Sequence, residues 1–368
     1  MASPGIYISI PFCAQKCTYC NFRSDVYARA LRTDYVRCLA RELCSGDTRR
    51  GDTLYFGGGS PSLLEPEEFE ALSAVLPHRR WAEATIEVAP GEAAPERISS
   101  WVETGINRVS LGVQSFDPAV ARAAGRKHDP ETVQTEIRCL RERGILNISV
   151  DLIAGLARQT ALTWRRSLDW IERLGVGHVS VYMLETDDAS RLGRELQAGG
   201  SRYGARSVPC ESEIVDFYLE AVEQLRSLGL ERYEVSNFAR PGRRSAHNLK
   251  YWRMEPYLGF GSDAHSFSGR RRWSNVATAP EYVRRMASGS SPRDRVEEPG
   301  PKRMLEDRVL TGLRTSDGIR LGNDEWRELR PRARRLADRG WLIAERPSIR
   351  LTDRGILFAD EAIAELLG

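Results

Sequence analysis

Short β-branched runs alternate with helical patterns through the first two-thirds of this 368-residue chain. The predicted strands are Gly5–Ile10, Thr53–Phe56, Thr85–Val88, Arg108–Gly112, Asn147–Leu152 and His178–Met183. The predicted helices are Thr33–Cys44, Pro66–Leu76, Pro95–Thr104, Pro130–Arg143, Ala161–Leu174 and Ser212–Leu228. Strands separated by single helices form parallel βα units with right-handed crossovers. Six such units predict an α/β fold, an open or partial (β/α)6 barrel instead of the full barrel of eight.

The composition and the secondary-structure pattern of the chain change twice after the sixth unit. Arg240–Arg272 is rich in aromatic and polar residues, has no clear period and is interpreted as an extended, functional connection. The last part predicts helices around a short hairpin, which is typical of a winged-helix-like appendage; the segments are Lys302–Leu313, Arg332–Gly340, Trp341–Ala344, Ser348–Leu351 and Thr352–Leu367. We therefore expect a barrel over residues 1–235, a connection over 236–298 and a small α+β domain over 299–368.

Composition excludes several classes of function. The formal net charge of +3 is close to balance, whereas nucleic-acid binding calls for a clear basic excess with interleaved aromatic residues. We therefore expect no nucleic-acid partner. No stretch approaches the roughly 18 apolar residues of a membrane span, and the N-terminus opens directly into a strand-like run instead of a signal segment. We expect a cytoplasmic protein with at most peripheral membrane contact.

Three cysteines follow the first predicted strand in the pattern Cys13-xxx-Cys17-xx-Cys20. Thiolates are suited to iron–sulfur clusters and to zinc, but structural zinc usually takes four ligands, often as two Cys-x-x-Cys pairs. The other four cysteines show no such pairing and are expected to be buried thiols; they are Cys38, Cys44, Cys139 and Cys210. Three close cysteines can ligate only three irons of a 4Fe–4S cube. The pattern predicts a cluster whose fourth iron is open to a small molecule.

Polar and glycine residues stand at the ends of several other predicted strands. Gly57-Gly58-Gly59-Ser60 follows the second strand, and consecutive glycines let the backbone approach a ligand closely. Glu87, Gln114 and Asp151 stand at the ends of the third, fourth and fifth strands. Taken singly, each is as well explained as a residue that terminates a strand. Because the carboxyl ends of parallel strands meet at one mouth, their joint placement above the cysteine loop favours a shared site.

A second constellation is His247-Asn248-Leu249-Lys250-Tyr251-Trp252, followed by Asp263-Ala264-His265. Histidine, tyrosine and tryptophan together suit a flat aromatic ligand, because imidazole can bind iron and the rings can stack. The residues alone favour a structural interpretation, in which Tyr251 and Trp252 pack the loop onto the barrel and His247 makes a hydrogen bond.

These residues together resemble the radical S-adenosylmethionine superfamily, and within it the oxygen-independent coproporphyrinogen III oxidase group. The similarity runs from Tyr7-Ile-Ser-Ile-Pro-Phe-Cys13 to Arg350-Leu-Thr-Asp-Arg-Gly355. The matching stretches between them are Phe56-Gly-Gly-Gly-Ser-Pro-Ser62, Gly105-Ile-Asn-Arg-Val-Ser-Leu-Gly-Val-Gln-Ser-Phe116, Gly125-Arg-Lys-His128 and Asp151-Leu-Ile-Ala-Gly-Leu156. Within the group, the chain is more similar to the HemW-like heme chaperones, which carry the pattern His-Asn-x-x-Tyr-Trp. The true oxidases carry a fourth cysteine where Phe22 stands here.

The resemblance implies a role for each matching position. Cys13, Cys17 and Cys20 would hold a 4Fe–4S cluster whose open iron chelates S-adenosylmethionine. The other implied contacts of that cofactor are Tyr7, Tyr19, Gly57, Gly58, Gly59, Ser60, Glu87, Gln114, Arg126 and Asp151. The implied heme contacts are His247, Asn248, Tyr251 and Trp252, with His247 as the ligand of the iron. A cysteine often seen after Tyr257 is absent, which leaves a contribution of His265 open.

The implied function is that of a heme chaperone, which binds heme as cargo and delivers it to a heme-requiring apoprotein. In enzymes of the superfamily, the reduced cluster donates an electron to the bound sulfonium, releasing methionine and a 5′-deoxyadenosyl radical, so an electron donor is an implied partner. The alternatives are an oxygen-independent coproporphyrinogen III oxidase, which decarboxylates porphyrinogen propionates, and a radical enzyme with an unrelated substrate. Phe22 counts against the oxidase. Cleavage of S-adenosylmethionine and formation of a homodimer stay open.

Overall fold

The computed structural model describes residues 2–368. Its strands are β1 Gly5–Ile10, β2 Thr53–Gly58, β3 Glu83–Val88, β4 Arg108–Gln114, β5 Asn147–Ala154, β6 His178–Met183, β7 Glu231–Arg232, β8 Asn237–Ala239, β9 Tyr257–Phe260, β10 His265–Phe267, β11 Arg272–Asn275, β12 Arg293–Glu297, β13 Ile319–Arg320, β14 Leu342–Glu345 and β15 Ser348–Leu351. The α-helices are α1 Arg29–Ser45, α2 Pro66–Ser73, α3 Pro95–Glu103, α4 Pro118–Ala123, α5 Pro130–Glu142, α6 Ala161–Leu174, α7 Arg191–Gln197, α8 Glu211–Ser227, α9 Ala246–Trp252, α10 Ala279–Ala287, α11 Pro301–Gly312, α12 Asn323–Asp338 and α13 Ala359–Leu367. Short 3-10 turns occupy Thr48–Arg50, Pro61–Leu63, Arg202–Ser207 and Gly355–Phe358.

Strands β1 to β6 are parallel and lie side by side in chain order, so the predicted α/β partial barrel is confirmed. Strands β1 and β6 have the predicted bounds, and the other four are each two residues longer than predicted. The helices α2, α3 and α5 begin at the predicted prolines, where the missing N–H would have no helical partner anyway. The sequence pattern therefore fixes which strand ends form the mouth.

The interpretation of Arg240–Arg272 as a connection without regular structure is wrong in part. Helix α9 and strands β9, β10 and the start of β11 lie in this segment, and β9 pairs in parallel with β1. The full sheet has 12 strands in the order β12-β11-β10-β9-β1-β2-β3-β4-β5-β6-β8-β7. These added strands are only two to five residues long, too short to show a period of alternation in the sequence.

The last part of the chain has a small core of its own. Strands β13, β15 and β14 form a separate antiparallel sheet, packed against α11, α12 and α13. Helix α12 begins at Asn323, nine residues before the predicted start, Arg332, and it contains Pro331. The predicted closing helix is a 3-10 turn followed by α13.

Two further observations concern the chain as a whole. Among residues 2–368, no helix is both long and apolar enough to cross a bilayer. Of the four remaining cysteines, which were expected to be buried, only Cys38 is buried; Cys139 is half-buried, and the expectation is wrong for Cys44 and Cys210, which are exposed.

Candidate functional site

Polar side chains line the lumen of the barrel and are only partly buried. Residues on the outer face of the strands, such as Ile6 and Ile8, are fully buried under the helices. Their neighbours on the inner face keep part of their surface accessible, as Tyr7, Tyr55 and Glu87 do. Because side chains alternate between the two faces of a strand, this difference marks the lumen as space for a ligand.

The cysteine loop lies where the sequence predicts it, directly after β1. Cys17 is buried, and Cys13 and Cys20 are half-buried. Burial raises the pKa of the Cys13 thiol, and the nearby Cys20 and Cys17 thiols raise it further. The three sulfur atoms therefore lie close enough to influence one another, and a positive metal group would be needed to hold them all as thiolates.

The loop is held in place by basic side chains that the sequence did not single out. The Lys16 ammonium donates to the carbonyl oxygens of Phe22 (2.6 Å) and Ser24 (2.5 Å). The Arg191 guanidinium donates to the Lys16 carbonyl oxygen. Arg191 begins α7, a helix that the sequence analysis missed; it belongs to a segment that packs over the loop. Asn21 also contacts this segment, donating to a carboxylate oxygen of Asp187 at 3.0 Å.

Three cysteine thiols on one loop are a donor set that suits a 4Fe–4S cube. Within residues 2–368, no three His, Cys, Asp or Glu side chains converge closely enough to hold one metal ion. A 4Fe–4S cube does not require such convergence, because each cysteine binds a different iron at a separate corner. Three thiols spread along one loop therefore match the donor set of a cube with one open iron.

The glycine-rich segment after β2 packs directly on the cysteine loop. The Gly59 and Ser60 amides donate to the carbonyl oxygens of Ile10 and Phe12, both at 2.8 Å. A Cβ atom added to Gly59 would lie 2.6 Å from the Phe12 oxygen and 3.0 Å from the Cys13 sulfur. No side chain fits there, so glycine lets this backbone lie against the sulfur atoms.

Buried polar atoms without partners surround the same place. The Gln114 Oε1, Arg126 Nε and His128 Nε2 atoms are buried and make no hydrogen bond within the described chain. Unpaired buried polar groups are rare and call for an explanation. Gln114 also has a backbone φ of +67°, a strained conformation for a residue other than glycine. A polar ligand in the lumen would satisfy these atoms.

From the sequence, His128 is expected to be a polar residue at the edge of the site and not a metal ligand. Burial and the neighbouring Arg126 lower the pKa of His128 to about 4, so its ring is neutral at physiological pH. His128 lies two residues after the predicted contact Arg126, and the structure places the two side chains near each other.

Two carboxyl groups lie near each other on one side of the lumen. Glu87 accepts hydrogen bonds from the Tyr55 hydroxyl (2.8 Å) and the Gly58 amide (3.2 Å). Asp151 accepts a hydrogen bond from the Ser110 hydroxyl at 3.1 Å. Burial raises the pKa of Glu87 to about 7, and Asp151 contributes in the same direction. This side of the lumen is suited to a ligand with amino, hydroxyl or other positively polarised groups.

The two tyrosines expected near the cofactor lie at different depths. Tyr19 lies beside the Cys17 sulfur and the Arg126 guanidinium, and burial raises its pKa. Tyr7 stacks on Tyr55, with ring centroids 6.0 Å apart. The structure thus brings the predicted cluster and cofactor residues to the carboxyl end and the middle of the barrel.

The predicted heme residues lie at the other end. His247 is 1% exposed, and its Nδ1 atom lies 2.9 Å from the hydroxyl of Thr53, the first residue of β2. Its Nε2 atom lies 2.8 Å from the Tyr251 hydroxyl, one helical turn further along α9. Burial and the charge of Lys250 lower the pKa of His247 to about 3, so the imidazole is neutral. In this conformation neither ring nitrogen is free to bind iron.

A buried carboxylate holds α9 against the barrel. Glu83, the first residue of β3, accepts from the Ser245 hydroxyl (3.0 Å) and from the backbone amides of Ala246 and His247 (both 2.9 Å). The Arg108 guanidinium lies 4.0 Å away. Because Thr53, Glu83 and Arg108 all begin their strands, α9 closes the amino end of the barrel, opposite the cysteine loop.

The remaining predicted residues are less enclosed. Asn248 and Trp252 are half-buried, one helical turn apart on α9. His265 is exposed at the start of β10. Strand β9 runs parallel to β1 and ends just before His265. His265 therefore belongs to the carboxyl-end mouth, close to Asp263.

Comparisons with known proteins find matches at both ends of the chain and relatives similar over almost its full length. Residues 7–171 match the Radical SAM superfamily, and residues 301–358 match the HemN C-terminal domain. The heme chaperone HemW of Bacillus subtilis is 30% identical and aligns over 98% of both chains. The heme chaperone HemW of Synechocystis is 34% identical, over 85% of this chain and 78% of its own. The bovine mitochondrial radical S-adenosyl methionine domain-containing protein 1 is 31% identical, over 99% and 87%.

One solved structure is similar over almost the full length. Coproporphyrinogen III oxidase (HemN) from Escherichia coli, a radical SAM enzyme, superposes with a TM-score of 0.84 over 99% of this chain and 90% of its own. The sequence identity is 22%, so this similarity establishes the shared fold and not a shared reaction.

Proposed function

The chain belongs to the HemW family of the radical S-adenosylmethionine superfamily, and on that basis we propose that it is a heme chaperone: it binds heme and delivers it to a heme-requiring apoprotein. The observation that carries this proposal is the full-length similarity to heme chaperones, at 30% identity over 98% of each chain. Membership of the superfamily implies a 4Fe–4S cluster and S-adenosylmethionine. We place the protein in the cytoplasm.

The carboxyl end supplies what these groups require. Cys13, Cys17 and Cys20 would hold the cluster, and the backbone of Gly57–Ser60 would lie along the amino-acid end of the cofactor. When bound, the cluster and the sulfonium together supply one-electron chemistry, for which an electron donor is needed. The Arg126 guanidinium would donate to the cofactor's polar groups and the Gln114 Oε1 atom would accept from them, with Glu87 and Asp151 on the other side. The segment around α7 limits the access of water to the loop.

The heme side needs a change of conformation. A neutral imidazole is the form that binds iron, and His247 is neutral. Its two nitrogens contact Thr53 and Tyr251, so iron ligation requires at least one of these contacts to break. The neighbouring Asn248 and Trp252 would then shape the heme face. Heme loading is therefore proposed to involve movement of α9 away from the barrel.

A heme titration of the anaerobically reconstituted protein, followed through the Soret band, tests the proposal. We expect stoichiometric binding that His247→Ala abolishes and that His78→Ala, a change of an exposed histidine, leaves intact. Because His247→Ala leaves Thr53 and Tyr251 without their partner, circular dichroism of each variant should establish that it is folded.

The other outcomes separate the alternatives. Binding that survives His247→Ala and is lost in His265→Ala would keep the chaperone and move the heme to the carboxyl-end mouth. Absence of binding, with conversion of coproporphyrinogen III by the reduced holoprotein, would replace the chaperone by the oxidase. Transfer from loaded protein to apomyoglobin, compared with free heme, tests delivery.

A further inference from the structure

An unbroken chain of contacts connects the two ends of the barrel. It starts at His247 in the amino end, passes through the lumen by Tyr55 and Glu87, and ends at Gly58 in the glycine-rich segment. Each link joins residues far apart in sequence: α9 to β2, β2 to β3, and β3 back to the end of β2. The inference drawn from it concerns regulation and rests on the proposed function.

The first link is aromatic. The imidazole of His247 packs on the ring of Tyr55, with centroids 5.1 Å apart and planes inclined by 31°. This separation lies within the range at which aromatic rings attract each other beyond simple burial. Tyr7 flanks the pair, 6.0 Å from Tyr55 and 6.5 Å from His247. Displacement of His247 would leave the Tyr55 ring without its support on that side.

The second and third links are hydrogen bonds to one carboxyl group. The Tyr55 hydroxyl donates to Oε1 of Glu87 at 2.8 Å, and the Gly58 amide donates to Oε2 at 3.2 Å. The two donors fix both oxygens, so rotation of the carboxyl group moves the Gly58 amide or breaks its bond. Gly58 has a φ of +111°, which only glycine adopts readily, and the Glu87 carboxylate is the side-chain acceptor of its amide.

We propose that Tyr55 is a positioning residue that couples the two ends: the placement of His247 sets the orientation of Glu87, and thereby the affinity of the Gly57–Ser60 backbone for S-adenosylmethionine. Movement of His247 toward a heme iron would withdraw the support of Tyr55 and alter cofactor binding. By linkage, bound S-adenosylmethionine would alter heme affinity by the same factor. The affinity for S-adenosylmethionine would thus depend on whether heme is bound.

A double-mutant cycle on binding tests the coupling without any turnover. The dissociation constant of S-adenosylmethionine is measured by anaerobic equilibrium dialysis, without reductant, on cluster-loaded protein. We expect His247→Ala to change this constant roughly 3- to 30-fold in a chain that retains Tyr55. The same change should fall to less than about twofold when Tyr55→Phe is also present, because the phenylalanine ring still packs but cannot bond to Glu87.

Two further variants keep the test decisive. Thr53→Val removes the partner of the His247 Nδ1 atom without removing the ring, and should give a smaller effect that Tyr55→Phe also abolishes. It replaces His247→Ala if that variant fails to fold. Tyr218→Phe is the matched control, since Tyr218 donates a partly buried hydrogen bond of 2.6 Å to the Val235 carbonyl, away from the chain of contacts. The effect of His247→Ala should persist in it.

Failure of the coupling and failure of the proposed function give different results. If the effect of His247→Ala is the same with and without Tyr55→Phe, the coupling is wrong, whatever the heme titration shows. If no heme binds, the chaperone is wrong, and the cycle still decides the coupling. With both correct, heme loading confirmed by the Soret band changes the cofactor's dissociation constant in the unmodified protein and not in Tyr55→Phe.

Discussion

The two ends of the barrel differ in whether their buried polar atoms have hydrogen-bond partners. At the carboxyl end, Gln114, Arg126 and His128 each keep a buried polar atom without a partner. At the amino end, both ring nitrogens and the backbone amide of His247 are paired. An unpaired buried polar atom costs about 1–3 kcal/mol. The carboxyl end is therefore prepared for a ligand, whereas the amino end is stable without one.

This difference separates two kinds of motif that look alike in the sequence. The cysteine and glycine motifs each lie in loops that leave atoms exposed to a common space. The His247 motif lies on a short helix whose reactive side chain faces inward. A ligand can bind at the carboxyl end with little rearrangement, but at His247 it must replace existing hydrogen bonds. Binding at the amino end should therefore be slower and more dependent on conformation.

Removal of one cluster thiol should have the largest effect and act on the carboxyl end alone. Cys13→Ser should abolish the visible absorbance and the reduced-state electron paramagnetic resonance signal of the reconstituted cluster, because an alcohol binds iron far more weakly than a thiolate. Cys210→Ser, which changes an exposed cysteine, should leave both signals intact. Heme binding measured without S-adenosylmethionine should be the same in the two variants. Loss of heme binding in Cys13→Ser would show that the ends are not separate sites.

Loss of the carboxylate that holds α9 should open the amino end. Glu83→Gln removes the charge beside the buried Arg108, and breaking such a pair costs about 3–5 kcal/mol. We expect amide hydrogen exchange across residues 246–252 to accelerate and heme to associate faster, with the cluster retained. In the control Glu325→Gln, the affected carboxylate accepts from the Gly322 amide near the surface. Unchanged exchange in Glu83→Gln would mean that other contacts hold α9.

A methyl group on the glycine-rich segment should weaken cofactor binding at the carboxyl end. In Gly59→Ala the new Cβ would lie 2.6 Å from the Phe12 oxygen, so the segment must shift away from the cysteine loop. Overpacking costs about 1–3 kcal/mol, and we expect the dissociation constant of S-adenosylmethionine to rise roughly 5- to 150-fold. Gly300→Ala, with open space around its Cβ, is the control. Equal affinities would show that the segment does not contact the cofactor.

Much of the carboxyl end follows from the sequence, because its signals are local. Strand β1 is a continuous β-rich run, and its cysteines follow directly, so fold class, strand ends and cysteine position are predictable together. Arg191 was missed for a different reason. Its role depends on a carbonyl oxygen of another segment, Lys16, and such a contact leaves no pattern of spacing.

The amino end is much less predictable. The pattern around His247 is visible in the sequence, but its burial is decided by Thr53 and Glu83, more than 160 residues earlier in the chain. Strand β9 is equally hard to predict, since its partner β1 lies near the start of the chain, where Gly5 pairs with Tyr257. Contacts of such long range carry no local signal, which is why a loop was expected where the structure has a helix and further strands.

The smallest expected effect concerns the pH dependence of folding stability that comes from the buried, unprotonated His247. The pKa of His247 is lowered to about 3 by burial, below the ordinary value of about 6.5. A histidine with a lowered pKa stabilises the folded chain above pH 6.5, and this stabilisation is lost as the pH falls toward 3, because only the unfolded chain takes up the proton. His247→Asn should therefore reduce the pH slope of the free energy of unfolding by about 1.4 kcal/mol per pH unit.

Urea titrations of the cluster-free chain between pH 6 and 4.5 measure this slope, with His78→Asn as the exposed control. Buried His128 and His178, whose pKa values are also lowered, contribute equally to all three proteins. If the slope does not change, His247 takes up its proton in the folded chain, and the amino end is open to solvent even without heme.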